Sequence, residues 1–197
     1  MNDKRQIILN TALTLFRAHG YRAIGIDRIL AESGVAKMTM YKYFPSKDAL
    51  IHAVLEERDR DFRQSLEVFV DAFAAPDEKL RAIFLWHERW FKSDDFNGCM
   101  FINAAAEFPD PAHPARQAVI EHKSRIQAFA TSLLRTWPTG EETSKQLAAQ
   151  FSMLLDGAIV SAQMTGDTTA ARLAWQSATT LLHAAGLVIE TNVSFDE

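Results

Sequence analysis

The chain is expected to fold entirely as α-helices, and three features of its 197 residues predict this. Apolar residues recur at helical spacing along almost the whole length, and no segment shows the period-two alternation of a half-buried strand. Glycine and proline gather in short clusters that punctuate the apolar runs, as at Asn97-Gly98, Pro109-Asp110-Pro111, Pro138-Thr139-Gly140 and Gly166-Asp167. With 48% hydrophobic and 23% charged residues, the chain can bury a real core, which excludes a disordered or collagen-like protein.

The elements follow in order. A first helix runs from about Asp3 to His19, with Ile8, Ala12, Leu15 and Phe16 on one stripe and Gly20 as its stop. A short second helix, about Ile26 to Ser33, buries Ile26, Ile29 and Leu30 and closes at Gly34. A third spans about Ala36 to Tyr43. Pro45 ends it, and Ser46 can accept an orphan backbone N–H at the start of the next. No glycine or proline lies between Ser46 and Pro76, and Leu50, Val54, Leu55, Phe62, Leu66, Phe69 and Phe73 keep helical spacing, so one long fourth helix links a head to a body. Further helices are expected near Asp77 to Lys92, Cys99 to Phe108, Ala115 to Trp137, Glu142 to Thr165 and Thr169 to Ile189. The domain division is therefore placed at 1–47 and 48–197.

The net charge of -4 is divided unevenly. Residues 1–49 carry eight Lys/Arg against four Asp/Glu, a surplus of +4, so the remainder holds -8. A basic head on an acidic body points to a polyanion at the head. The lone cysteine, Cys99, excludes an internal disulfide and fits a reducing compartment, so a cytoplasmic protein is expected. Asn10, Thr11, Thr14 and Arg17 break what would otherwise mimic a leader peptide, and no run of about 20 apolar residues argues for a membrane span. Hydrolase elbows, phosphate-cradling glycine loops and HExxH or CxxC metal pairs are absent from the sequence, so neither an enzyme nor a metal or cofactor site is expected.

The strongest local signal is Ile26 to Leu50, IDRILAESGVAKMTMYKYFPSKDAL. Two short helices meet at Gly34-Val35-Ala36, the helix-turn-helix pattern, whose second helix enters the DNA major groove. Its exposed positions are Lys37, Met38, Thr39, Tyr41 and Lys42, while Val35, Met40 and Phe44 have the spacing of a buried face. All three tyrosines, Tyr21, Tyr41 and Tyr43, lie in this head, and a phenol can give its O–H to a phosphate. For Arg28, a phosphate contact and an i,i+4 salt bridge to Glu32 both stand.

The run Gly34, Val35, Lys37, Thr39, Tyr41, Tyr43, Phe44, Ser46, Lys47 and Leu50 resembles, residue by residue, the pattern GV-x-K-x-T-x-Y-x-YF-x-SK-x-x-L of the DNA-binding head of the tetracycline-repressor (TetR) family of transcriptional regulators. The likeness covers about Ile7 to Leu55. It implies that Lys37 and Thr39 address base edges or adjacent phosphates, that Tyr41 and Lys47 grip phosphates, and that Tyr43 supports the backbone contact. Gly25 and Ala36 depart from the pattern, which often has a hydroxyl residue at each helix start. Losing such a cap costs about 1 kcal/mol for Ala and a few tenths for Gly, so the head still folds. Met38 stands where a smaller residue is common and could meet a thymine methyl.

The body resembles the family's variable effector-binding part less specifically and is rich in aromatics. Each aromatic has a core reading beside a pocket reading. Polar residues set in apolar helices point more directly to a ligand, because burial without a partner costs energy. The candidate pocket is Trp86, Trp90, Asn103, Glu107, Phe129 and Gln163, with a solvent-facing helix end as the other reading for Glu107. Cys99, beside Gly98 at a helix start, has two readings, an electrophile-sensing thiol and an inert buried one. The last two helices are rich in small and aliphatic residues. By resemblance, Leu154, Ala158, Ala162, Ala174, Ala178, Leu181 and Leu182 pair with their symmetry mates as a four-helix dimer interface; otherwise they close a monomer core.

The function these features imply is a homodimeric repressor that binds a palindromic double-stranded operator and is released by a small, mostly apolar effector, with no membrane partner. The competing reading is a helical small-molecule-binding protein with a vestigial DNA-binding head.

Overall fold

The structure, a computed structural model, describes residues 4–138 and 140–189. Among these residues it holds nine helices and no strand: α1 Lys4–His19, α2 Ile26–Ser33, α3 Lys37–Tyr43, α4 Lys47–Asp71, α5 Pro76–Phe91, α6 Met100–Glu107, α7 Pro114–Leu134, α8 Glu141–Thr165 and α9 Ala170–Ala184. The all-helical expectation is met. The expected start of α1 at Asp3 lies outside the described residues. α4 stops at Asp71, short of Pro76, and α9 stops at Ala184, where Gly186 takes a left-handed backbone with φ of 79° and turns the chain. No described helix is long and apolar enough to cross a membrane.

The chain divides into two compact units. Among the described residues, the first comprises 4–62 and 99–122, so it takes in the start of α4, all of α6 and the start of α7 as well as the head. Its core is built on the α1 stripe, with Ile8, Ala12 and Phe16 buried beside Ile29, Met40 and Leu50. The α2–α3 turn is closed by Gly34, whose φ of 65° lets its N–H reach the Leu30 carbonyl at 3.0 Å. Neither Gly25 nor Ala36 makes a side-chain cap, as their residue types dictate, whereas Ser46 Oγ accepts the Ala49 N–H at 3.0 Å and caps α4. Deeper in this unit His122 and Asp59 form a buried pair at 2.8 Å, and the Phe101 ring lies flat on the imidazole at 3.7 Å.

Among the described residues, the second unit comprises 63–98, 123–138 and 140–189. Here α8 and α9 pack on each other, and α5 lies against both. Phe84 of α5 meets Phe151 of α8 at 5.8 Å and Trp175 of α9 at 5.2 Å. Glu88, 1% exposed, takes Lys92 Nζ at 2.8 Å and Arg172 Nη2 at 3.1 Å on one oxygen, tying α5 to α9. The α8–α9 contact consumes the small residues expected at a dimer interface. Ala158, Ala162, Ala174, Ala178 and Leu182 are buried within the chain itself, and Leu154 and Leu181 are half-buried. Small side chains let two helix axes approach closely, and the nearest helix is the chain's own neighbour. The faces that remain open are different ones, carrying Met153 and Met164 on α8 and Leu173 on α9, at 64%, 79% and 57% exposure.

Candidate nucleic-acid interface

The candidate recognition surface is carried by α3, which packs on α1. Val35, Met40 and Phe44 point inward and are buried, which fixes the rotation of this seven-residue helix. The opposite side is then open: Met38 is 83% exposed, and Lys37, Tyr41, Lys42 and Tyr43 are exposed beside it. Thr39 is half-buried, since it sits at the edge of the helix between the two faces. Lys37 Nζ lies 3.8 Å from Asp27 of α2, with both side chains largely in solvent, a pair a phosphate can displace at little cost. Arg28 makes the i,i+4 salt bridge to Glu32 at 2.9 Å and also meets His19 Nε2 at 3.2 Å, so of its two readings the salt bridge is present.

Lys47 differs from the other lysines. Its Nζ reaches the Arg22 carbonyl at 3.5 Å, and partial burial pulls its ammonium below the usual value. Arg22 was not singled out by sequence reasoning, yet it stands exposed in the α1–α2 turn with its guanidinium 5.8 Å from the Phe108 ring centre. The signal for it was present, since a basic residue next to the Gly20 turn adjoins the second helix. Tyr21 corrects the grouping of the three tyrosines as phosphate donors. It is 1% exposed, and its O–H donates to the Met100 carbonyl at 2.8 Å. Burial drives this phenol far above its ordinary value, and the neighbouring Cys99 and Glu107 add to the rise.

The six candidate effector residues fall in both units. Asn103 and Glu107 belong to the first unit, Trp86, Trp90, Phe129 and Gln163 to the second. Both carboxylate oxygens of Glu107 are taken by backbone N–H groups, those of Tyr21 and Arg22. Within the second unit, Gln163 is exposed and its amide reaches the Asn97 carbonyl at 3.5 Å. Trp86 and Trp90 pack ring to ring at 5.8 Å, and Trp86 Nε1 donates to Ser65 Oγ. Phe129 lines a narrow cavity of about 10 Å³ walled by side chains such as Leu66, Ile83, Phe151 and Leu155 with Ser152 as its hydroxyl. Cys99 is buried at the N-cap of α6. His87 Nδ1 bonds the Ile83 carbonyl at 2.7 Å, so this histidine is a buried residue with a partner.

Residues 8–54 match the family described as "Bacterial regulatory proteins, tetR family", and residues 76–178, more than half of the chain, match "Tetracyclin repressor-like, C-terminal domain". The chain belongs to the TetR family. As a TetR-family protein it is a transcriptional regulator with a helix-turn-helix DNA-binding domain. Its likeness to SCO4454, a TetR-family transcriptional regulator from Streptomyces coelicolor, extends over 92% of this chain and 95% of that one, with 32% identity and a TM-score of 0.84. A TetR-type regulator (sav143) from Streptomyces avermitilis matches at 30% identity and a TM-score of 0.83, over 94% of this chain and all of that one. Among curated relatives, the transcriptional regulator LmrA of Bacillus subtilis is 27% identical over 160 residues, 80% of this chain and 85% of the relative. These relatives are transcriptional regulators.

Proposed function

We propose that this protein is a cytoplasmic, homodimeric repressor that binds a palindromic operator and leaves it when a small, mostly apolar effector enters the body. The observation that carries the DNA half of this reading is the two-sided α3, with Met40 locked into the core and Lys37, Met38, Tyr41 and Lys42 turned outward on a head of surplus positive charge. Lys37, Lys42 and Lys47, with the hydroxyls of Tyr41 and Tyr43, hold phosphates. Met38 and Thr39 reach base edges, and Arg28 gives up Glu32 for a phosphate. Two such heads related by a two-fold axis engage successive major grooves about 34–36 Å apart.

The open apolar stripe on α8 and α9 supports the dimer. Met153, Gly157, Met164, Leu173 and Ser177 follow helical spacing on the exposed side, and two copies of this surface cover one another as a four-helix bundle. The seam around Phe129 supports the effector. At about 10 Å³ it accommodates at most a water, so a ligand must open it, and a ligand that binds only the opened body shifts the protein between two states. Nearly all of its walls are apolar, which selects an apolar ligand with one hydrogen-bonding group for Ser152.

Sedimentation equilibrium tests the assembly. Wild-type protein should be a dimer, and Leu173→Arg together with Met153→Arg should give a folded monomer whose DNA affinity falls at least tenfold. A dimer that survives both substitutions would place the interface elsewhere.

A further inference from the structure

We infer that Glu107, the last residue of α6, is a positioning residue for DNA binding: its carboxylate locks the α1–α2 turn and thereby sets Arg22 and Lys47 at the phosphate-facing edge of the head. This inference rests on the DNA-binding reading above. Oε1 of Glu107 accepts the Tyr21 N–H at 2.9 Å, and Oε2 accepts the Arg22 N–H at 2.7 Å, so two successive amides are held by one charged acceptor. Tyr21 also holds the other end of the same helix, where its phenol donates to the carbonyl of Met100. One residue of the turn therefore grips α6 at its first and last positions. Gly20 makes room for the contact. Its φ is +78°, and a Cβ there would come within 2.8 Å of Glu107 Oε1. Arg22, whose amide is fixed, lays its guanidinium over the ring of Phe108, and its carbonyl receives Lys47 Nζ.

Electrostatics gives the inference its opposite. A carboxylate close to Lys47, whose charge it favours, repels the phosphates that the same lysine is meant to meet. If charge were all that Glu107 contributed, removing it would strengthen DNA binding. If position is what it contributes, removing it weakens binding, because Gln offers only one acceptor to two amides and turns an NH₂ toward the other N–H. The two accounts differ in sign.

The experiment measures binding of the full-length protein to a fixed mixed-sequence duplex of about 30 base pairs by fluorescence anisotropy across a salt series, with unfolding followed in parallel to confirm that each variant is folded at the assay temperature. Each phosphate contact contributes about 0.9 to the slope of log K against log salt. Glu107→Gln should bind about tenfold more weakly at a fixed salt concentration and lose one to two units of slope. Glu107→Asp keeps the charge but is one methylene too short to reach both amides. It should show the same loss, and it serves as the second variant should Glu107→Gln fail to fold. Binding by folded Glu107→Gln equal to or tighter than wild type, or full affinity in Glu107→Asp, would overturn the inference. Wild-type protein without a salt-dependent affinity would instead overturn the DNA-binding reading on which it rests.

Discussion

Replacing Gly98 by alanine separates a backbone cost from a contact cost. Gly98 is buried with φ at +78°, and an added Cβ would fall 2.2 Å from the Gln163 side chain. Forcing an L-residue into this region costs about 1–2 kcal/mol. Part of that, about 0.4–1 kcal/mol, is returned because alanine restricts the unfolded chain. The contact term depends on whether Gln163 can move. It is exposed and its amide bond to Asn97 is at the outer limit of length, so it rotates away for about 0.5 kcal/mol. The net expectation is a loss of about 1 kcal/mol, and the same loss within about 0.5 kcal/mol when Gln163→Ala is already present. Urea unfolding at one fixed protein concentration measures both. A single-variant loss above about 3 kcal/mol that Gln163→Ala largely restores would mean Gln163 is pinned over Gly98, and the reasoning would fail.

Three further expectations concern the first unit. Tyr21→Phe should cost about 1 kcal/mol at neutral pH. Because the folded phenol holds its proton far above the unfolded value near 10, its contribution is full below that pH and is lost as pH rises beyond it, at about 1.4 kcal/mol per unit; the variant should therefore unfold with a shallower alkaline slope, and an unchanged slope would exclude Tyr21 as its source. Asp59→Ala should cost about 2 kcal/mol by removing the buried hydrogen-bond partner of His122 Nδ1, whereas Asp59→Leu with His122→Phe should recover most of it in thermal melts, since replacing both partners of a buried hydrogen bond by apolar groups is nearly neutral. Lys37→Ala and Tyr41→Phe should each weaken DNA binding, the first with a salt slope reduced by about 0.9; retention of full affinity by both would move the recognition face off α3.

Much of the head was legible because its signals are local. Gly34, Ser46 and the Val35, Met40 and Phe44 spacing act within a few residues of themselves, and the helices they delimit stand within a residue or so of their expected ends. What the sequence hid depends on long-range partners. Tyr21 looks like a surface phenol until Met100, 79 residues away, supplies its acceptor. Glu107 looks like a pocket acid or a solvent-facing helix end until its carboxylate meets the Tyr21 and Arg22 N–H groups of the α1–α2 turn. The alanine stripes of α8 and α9 record that two helices approach closely, but not whether the second belongs to the same chain. Gln163, a pocket candidate because it is a polar residue set in an apolar helix, lies on the exposed side of α8, against Gly98.

The most direct test of the account is to incubate the purified protein with fragmented DNA of its own genome at physiological salt and to sequence what stays bound. An operator-binding homodimer predicts enrichment of a short inverted repeat whose half-sites are one helical turn apart, lost when Lys37 and Tyr41 are both replaced by alanine. Recovery of fragments without any shared symmetric sequence, or the same enrichment from the double variant, would contradict it.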